Sequence, residues 1–335
     1  MTLGLRAPKF WGRPPGPLAL ALAPLGALYG AVARARLGRS APRAELPTIV
    51  IGGLTLGGDG KTPTAIALGQ MLVAMGERPV FLTRGYGRAG SSRVPLRVDL
   101  SRHDARDVGD EALLLASIAP TFVGGDRVES ARLAARAGAS VLVLDDGLHS
   151  RSLAPDLAIL VVDVAYGAGN GLCPPAGPLR APLAVQLEIA DTVNLIGESE
   201  TPSWLKNAKA VLRGRLTPDP QAAARLSGAR VFAFAGVGRP QKFLATLEEI
   251  GAVVAGWRWF PDHHLYSSAE LAGLSREAAS RSARLVTTEK DAQRLGSGNT
   301  IETLPVRLAF EQPGAVEALL RRSFAHARSA ATETK

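Results

Sequence analysis

The sequence predicts an α/β protein: a mostly parallel sheet flanked by helices, followed by a second, smaller α/β domain. Three observations predict it. Short apolar runs such as Val141–Leu144, Leu157–Val162 and Thr192–Ile196 alternate with helical patterns, as strands buried on both faces of a parallel sheet require. The stretch Thr48–Thr64 reads TIVIGGLTLGGDGKTPT, a β-prone run, a glycine-rich turn, then Gly60-Lys61-Thr62 at a helix start. That is the layout of a phosphate-binding P-loop, so the sheet is of the P-loop NTPase type. Finally, the pattern weakens around Arg213–Ser227, where Pro218 and Pro220 fall in a polar stretch, and a fresh strand–helix series starts at Val231.

A chain of 335 residues has room for two domains. Its hydrophobic fraction of 46% with 21% charged residues is that of a globular protein. Cys173 is the single cysteine, which excludes a disulfide framework and a cysteine-based zinc site. The net charge of +9 is uneven. Residues 1–46 carry seven basic side chains against one acid, Glu45. Elsewhere the basic residues are spread and aromatics make up only 5%, so no stacking platform for nucleic acid is visible and none is expected as a partner.

The first 46 residues read as a membrane-associating segment. Pro14 to Ala33 holds no charge and is rich in Leu, Ala and Gly from Leu18 onward. Arg13 precedes this run, Arg34 and Arg36 follow it, and Trp11 and Tyr29 lie near its ends, where interfacial aromatics are usual. Ala31-Val32-Ala33 imitates a signal-peptide cleavage site, but an exported P-loop enzyme would lack its nucleotide. A spanning helix needs about 20 apolar residues, and Pro14, Pro15, Pro17 and Pro24 lower the helical quality of this run. A helix lying on or dipping into the membrane face, held by flanking arginines, fits better. The alternative is a buried helix packed on the domain.

The P-loop opens the first domain, expected over 47–215. Lys61–Met75 follows as a helix with Ala65, Leu68, Leu72 and Met75 at helical spacing. Pro79–Thr83 is a strand that runs into the basic loop Arg84-Gly85-Tyr86-Gly87-Arg88. Residues 89–108 read as a loop with a short strand near Val94–Val98. Asp110–Ala119 is a helix, Thr121–Val123 a strand and Arg127–Ala137 a helix, before the three apolar strands named above. Residues 216–227 read as a linker. The smaller domain, 228–308, is expected to hold strands at Val231–Ala235, Val253–Trp257, Arg284–Thr287 and 303–309, with helices at Gln241–Ile250 and Ala269–Ala279. Residues 309–335 supply a closing helix, 313–325, that could return to the first domain, and a frayed tail, 328–335.

Several clusters carry chemistry. In the P-loop, Thr55, Leu56, Gly57, Gly58, Asp59, Gly60, Lys61 and Thr62 form the expected nucleotide cradle, since successive backbone N–H groups and the helix N-terminus attract anionic oxygens. Lys61 would reach the β/γ-phosphates and Thr62 would hold Mg²⁺. Thr55 departs from the strict pattern, which has glycine there. Asp145-Asp146 ends an apolar strand, where a P-loop protein places its magnesium-organising carboxylate; a turn-capping pair is the plain alternative. Asp110-Glu111 begins a helix after Gly109 and is either dipole compensation or a general base for an acceptor hydroxyl. Pro261-Asp262-His263-His264 sets two histidines beside an acid, without partners at zinc spacing. Arg84, at a strand end, and Arg180, closing the proline-set loop 174–180, could each pair a phosphate.

Taken together these motifs resemble one family, the tetraacyldisaccharide 4'-kinases of lipid A biosynthesis. The matching stretches are GGLTLGGDGKTPT, TRGYGR at 83–88, VGDEALLLA at 108–116, DDGLHSRSL at 145–153, PPAGPLR at 174–180, FPDHHLY at 260–266 and TTEKDAQRL at 287–295. The family's P-loop also has threonine at the position of Thr55. The resemblance implies transfer of the ATP γ-phosphate to the 4'-hydroxyl of a lipid A disaccharide 1-phosphate, with ATP and Mg²⁺ as cofactors. It implies Asp110 as base with His263 as its partner, Lys61 as a catalytic lysine, and Thr62, Glu111, Asp145 and Asp146 around magnesium. Arg84, Tyr86, Asn170 and Arg180 then form the substrate-facing set. The partners implied are the lipid substrate and the inner-membrane surface, on its cytoplasmic face. Where the family usually has Gln then His after the Asp-Asp-Gly run, this chain has His149 and Ser150. The rival reading is a P-loop ATPase switch of the partitioning or metal-delivery type, but its signature first lysine would fall at Leu56.

Overall fold

The computed structural model describes residues 7–86, 94–295 and 301–333. Gly87, Arg88 and residues 89–93 of the expected loop lie outside the described residues, as do the last two residues of the tail. The first helix, α1 (Pro17–Leu37), starts with Pro17 at N1 and carries Pro24 inside it. It docks by its small residues. A Cβ on Gly26 would come within 2.6 Å of the Cys173 carbonyl oxygen, and one on Gly30 within 3.2 Å of Pro182. Most of its large side chains face the other way: Leu18, Leu20, Leu25, Leu28 and Val32 are all more than half exposed, while Leu37 at its end is buried against Ala181 and Val185. Only 17% of its most apolar window is buried, and the helix is long and apolar enough to cross a membrane. A helix packed into a core would show the reverse; this one rests on the domain along one side and leaves the other exposed.

The main series then runs β1 (Thr48–Gly53), α2 (Lys61–Ala74), β2 (Pro79–Thr83), β3 (Leu96–Arg97), α3 (Ala105–Val108), α4 (Asp110–Ala116), β4 (Thr121–Val123), α5 (Arg127–Arg136), β5 (Val141–Leu144), β6 (Leu157–Asp163), α6 (Leu183–Ile189), β7 (Thr192–Ile196) and β8 (Val211–Pro218). A second series follows with α7 (Pro220–Leu226), β9 (Arg230–Ala235), α8 (Pro240–Glu249), β10 (Val253–Trp259), α9 (Ser268–Ser280), β11 (Arg284–Thr288), α10 (Glu289–Ala292) and β12 (Glu302–Leu304). β13 (Val306–Phe310) and α11 (Pro313–Glu333) close the chain.

The large sheet has the order β13-β8-β7-β6-β1-β5-β2-β4-β3, parallel except at its two edges, where β13 and β3 run antiparallel. The small sheet, β10-β9-β11-β12, is parallel throughout. Central strands alternate their side chains between two cores. Ile49, Ile51, Phe81, Val143 and Ile159 pack on one face with Leu68 and Leu72 of α2 and with Leu320 and Phe324 of α11. Val50, Leu82, Leu142, Leu144 and Leu160 pack on the other with Ala134 of α5 and Leu187 of α6. β1 lies between β5 and β6, so the chain reverses its winding beside it. Ligands of open parallel sheets bind outside the strand C-termini at such a point.

Three stretches differ from expectation. The weak pattern at 213–227 is ordered structure: β8 pairs with β7 and β13, and α7 is capped by Asp219, whose carboxylate accepts the Ala222 N–H at 2.9 Å. α7 buries only Ala222 and Leu226, and β8 is largely half-exposed, which left little apolar period to read. The expected strand at 303–309 is two strands, β12 on the small sheet and β13 on the large one, because Pro305 breaks the run. The tail expected to fray stays helical to Glu333 in α11.

Candidate active site

The C-terminal ends of β1, β5 and β6 open into a cavity of about 1470 Å³. β1 leads into the P-loop. Gly60, with φ +92°, turns the chain into α2, and a Cβ there would sit 2.4 Å from Ile196, so position and conformation both require glycine. Leu56, Gly57, Gly58, Asp59 and Gly60 line the cavity. Thr55 does not. It is fully buried, and its N–H and hydroxyl both donate to the Asp59 carboxylate, at 2.8 and 2.6 Å. The proline-set loop, with a cis Pro174–Pro175 bond, is laced to this turn. Leu56 N–H donates to Pro178 at 2.8 Å, and Arg180 Nε donates to the Thr55 carbonyl at 2.9 Å.

The structure brings Lys61, Thr62, Asp145, Asp146 and Arg180 together. The Thr62 hydroxyl donates to Asp145 Oδ2 at 2.9 Å. Asp146 takes Arg180 at 3.0 Å and Lys61 at 3.8 Å, from a left-handed backbone (φ +54°) that aspartate tolerates better than most residues. Burial raises both carboxyls. At Asp146 the cations Lys61 and Arg180 outweigh it and draw the group below its ordinary range. At Asp145 burial wins, helped by Glu111 and Asp146, and the carboxyl is pushed up to about 7. Asp145 Oδ1 is buried without a hydrogen-bond partner. A buried, orphaned carboxylate oxygen beside a threonine hydroxyl is an oxygen donor set short of a cation, which fits magnesium. No group of three or more His, Cys, Asp and Glu converges as a metal cage among the described residues; a magnesium ion shared with phosphate oxygens needs only one or two protein carboxylates.

His263 also lines this cavity, and Asp110, 2% exposed at the head of α4, lies behind it in a small adjoining pocket. His263 Nδ1 lies 3.3 Å from its Oδ2, while Oδ1 accepts the Glu111 N–H at 2.9 Å. Burial opposes ionisation of Asp110, but Lys290, the neighbouring His263 ring and Arg294 outweigh it and hold the carboxyl well below its usual range. His264 is engaged elsewhere, stacked on Phe260 at 4.7 Å and bonded to Glu270 at 3.0 Å. Of the pair, His263 is the one that faces Asp110. Glu111 pairs with Lys290 at 3.0 Å. Tyr86 lies against the His263 ring, centroids 4.8 Å apart, and it lines the cavity together with Arg84.

Asn170 stands apart from the other expected substrate-facing residues. It is 8% exposed, donates to the Ala176 carbonyl at 2.8 Å and accepts from Leu172 N–H at 3.1 Å. Both polar groups are spent inside the loop that carries Arg180, so the residue shapes that loop. His149, in place of the family's usual glutamine, bonds Gln186 Oε1 through Nε2 at 2.8 Å. The Gln186 amide nitrogen donates to Leu54 and Ala181 carbonyls, which leaves its Oε1 as acceptor and assigns the proton to His149 Nε2. Burial, aided by Arg180, lowers the His149 pKa to about 4, so the ring is neutral.

Sequence reasoning assigned no role to Lys290, Arg294 or Arg239, all of which face these groups. Lys290 and Arg294 lie four residues apart in the TTEKDAQRL stretch, a spacing that points two long cations the same way from a helical turn. Arg239, at the start of α8, pairs with Asp163 at the end of β6 and with Asp59 at 3.1 Å, and its guanidinium lies 4.3 Å over the Tyr166 ring.

A P-loop with its lysine and threonine, a carboxylate pair at the end of the neighbouring strand, and a histidine on the same cavity with a buried carboxylate behind it define a P-loop phosphotransferase. The family model for LpxK, "Tetraacyldisaccharide-1-P 4'-kinase", matches residues 18–325. The chain belongs to this kinase family, whose members act in lipid A synthesis. It is 51% identical to the tetraacyldisaccharide 4'-kinase of Methylobacterium sp. (strain 4-46), covering 96% of this chain and 97% of that one. It is 48% identical to that of Xanthobacter autotrophicus, covering 95% and 97%. Among solved structures, the "apo" form of LpxK from Aquifex aeolicus in complex with ATP shares the fold with a TM-score of 0.72 at 24% identity, over 92% of this chain and 99% of that one.

Proposed function

We propose that this chain transfers the γ-phosphate of ATP to the 4'-hydroxyl of a tetraacyldisaccharide 1-phosphate, giving lipid IVA, at the cytoplasmic face of the inner membrane. The observation that carries this reading is one cavity lined by Lys61, Thr62, Asp145, Asp146 and His263, with Asp110 behind His263 at 3.3 Å. Membership of the kinase family supports the acceptor, and the ATP held by the Aquifex protein supports the donor.

Phosphoryl transfer asks a protein mainly to position its reactants and to balance charge. The P-loop amides and Lys61 would cradle the triphosphate. Thr62, Asp145 and Asp146, with Glu111 near them, would hold Mg²⁺, which supplies charge neutralisation at the phosphates. Asp110, with His263, accepts the proton of the sugar hydroxyl as it attacks. Arg84, Tyr86 and Arg180 stand where the sugar head would enter. The exposed leucines of α1 keep the enzyme at the surface where its acylated substrate resides.

Incubation with radiolabelled ATP and the detergent-dispersed disaccharide, against simple nucleotides as alternative acceptors, tests this directly. Label on the lipid at the 4' position is the expected result. Hydrolysis of ATP without transfer, or label on the nucleotides instead, would overturn it.

A further inference from the structure

Asp110 and His263 come from different parts of the molecule. Asp110 heads α4, beside the large sheet, whereas His263 stands on the loop after β10 of the small sheet. A pair assembled this way needs a part that ties both members to one frame. Arg294 touches both sides. Its side chain is 1% exposed. Nε donates to Asp110 Oδ2 at 2.7 Å and Nη2 lies 2.6 Å from the same oxygen. Nη1 donates to the Gly236 carbonyl at 2.8 Å and to Asp291 Oδ1 at 3.0 Å. The same Gly236 carbonyl accepts the His263 N–H at 3.1 Å.

Asp291 fixes the guanidinium in turn. It is fully buried, and it also accepts the Gly236 N–H at 2.9 Å, the Tyr266 hydroxyl at 2.7 Å and the Thr288 hydroxyl at 2.6 Å. The frame is therefore the small sheet's own backbone and side chains, and the guanidinium is its arm toward α4. A planar guanidinium suits the task, because its rigid fork can meet a carboxylate on one edge and carbonyls on the other. An ammonium has the charge without the fork.

We propose that Arg294 is the positioning residue of the proton-accepting pair, holding the Asp110 carboxylate in register with the Gly236 turn that carries His263. This rests on the reading of Asp110 and His263 given above. Arg294 itself need not touch substrate.

The test measures kcat, KM for ATP and thermal unfolding of Arg294→Gln and Arg294→Lys. Misplacing a reacting group by about 1 Å can cost about a hundredfold in rate, so kcat of Arg294→Gln is expected to fall about that far. KM for ATP stays within about twofold, because the P-loop is untouched. Arg294→Lys keeps the charge and loses the fork, and it falls less, about tenfold. In Arg294→Ala, added guanidinium restores part of kcat saturably, and urea at the same concentration does not. Wild-type kcat in a folded Arg294→Gln or Arg294→Lys would overturn the proposal, as would a loss shared equally by kcat and KM with no rescue. Asp110→Asn is assayed alongside. If it stays active, the reading of the pair fails; if it is dead while Arg294→Gln is normal, only the positioning role fails.

Discussion

Thr55 occupies a place where a strict P-loop has glycine, and its side chain explains why the chain keeps it. Both its N–H and its hydroxyl serve Asp59, which is 2% exposed. Restoring the strict pattern with Thr55→Gly would remove one of those donors from a buried carboxylate. The expected cost is about 1–3 kcal/mol of stability, read as a lower midpoint in urea unfolding, with no gain in ATP affinity. A Thr55→Gly protein as stable as the parent would show that the hydroxyl does nothing for Asp59. The residue types of the site were largely legible, because Gly-Lys-Thr, Asp-Asp and Asp-His-His are unusual clusters. The partners were not. Nothing in a linear sequence tells that Asn170 spends its amide within its own loop, or that Arg294 crosses between sheets to reach Asp110.

At the scale of elements, α1 largely turns the usual rule inside out: Ala19, Gly26 and Gly30 lie inward with Leu37, and Leu18, Leu20, Leu25 and Leu28 lie outward. Each exposed leucine is worth little to folding, so Leu18→Gln, Leu25→Gln and Leu28→Gln should each change stability by no more than about 0.5 kcal/mol. Together they should sharply reduce sedimentation with anionic vesicles, while ATP binding is kept. Unchanged vesicle binding by the triple variant would remove α1 as the anchor. Strands β2, β4, β5 and β7 begin and end where the sequence predicts, since every residue in them is buried and the apolar run ends with the strand. β8 and α7 escaped because an edge-side strand and a short alanine-rich helix bury too little to leave a period. The break between β12 and β13 turns on where each strand pairs, and pairing across 90 residues is a tertiary fact: Thr217 and Arg307 are register partners.

At the scale of the whole molecule, two sets of ion pairs fasten the small sheet to the large one. Arg294 and Lys290 reach Asp110 and Glu111, and Arg239 and Lys242 reach Asp163, with Arg239 extending to Asp59 of the P-loop. Arg239→Ala would leave Asp59 and Asp163, each 2% exposed, short of a cation. Breaking a buried pair costs about 3–5 kcal/mol, and about 2–3 is expected here because Lys242 still faces Asp163. ATP affinity should fall with it, since the loop's own carboxylate loses its anchor; equal unfolding midpoints and equal ATP affinity would contradict the fastening role. Such long-range pairs were invisible beforehand, although the basic and acidic residues that make them were all in view.

The proposed chemistry depends most on Asp110. Asp110→Asn keeps the size of the side chain and removes the proton-accepting carboxylate. With ATP binding measured in parallel and unchanged, transfer of phosphate to the disaccharide is expected to drop by about 10²–10⁴-fold. Turnover near that of the parent would take Asp110 out of the reaction and contradict the mechanism proposed for this site.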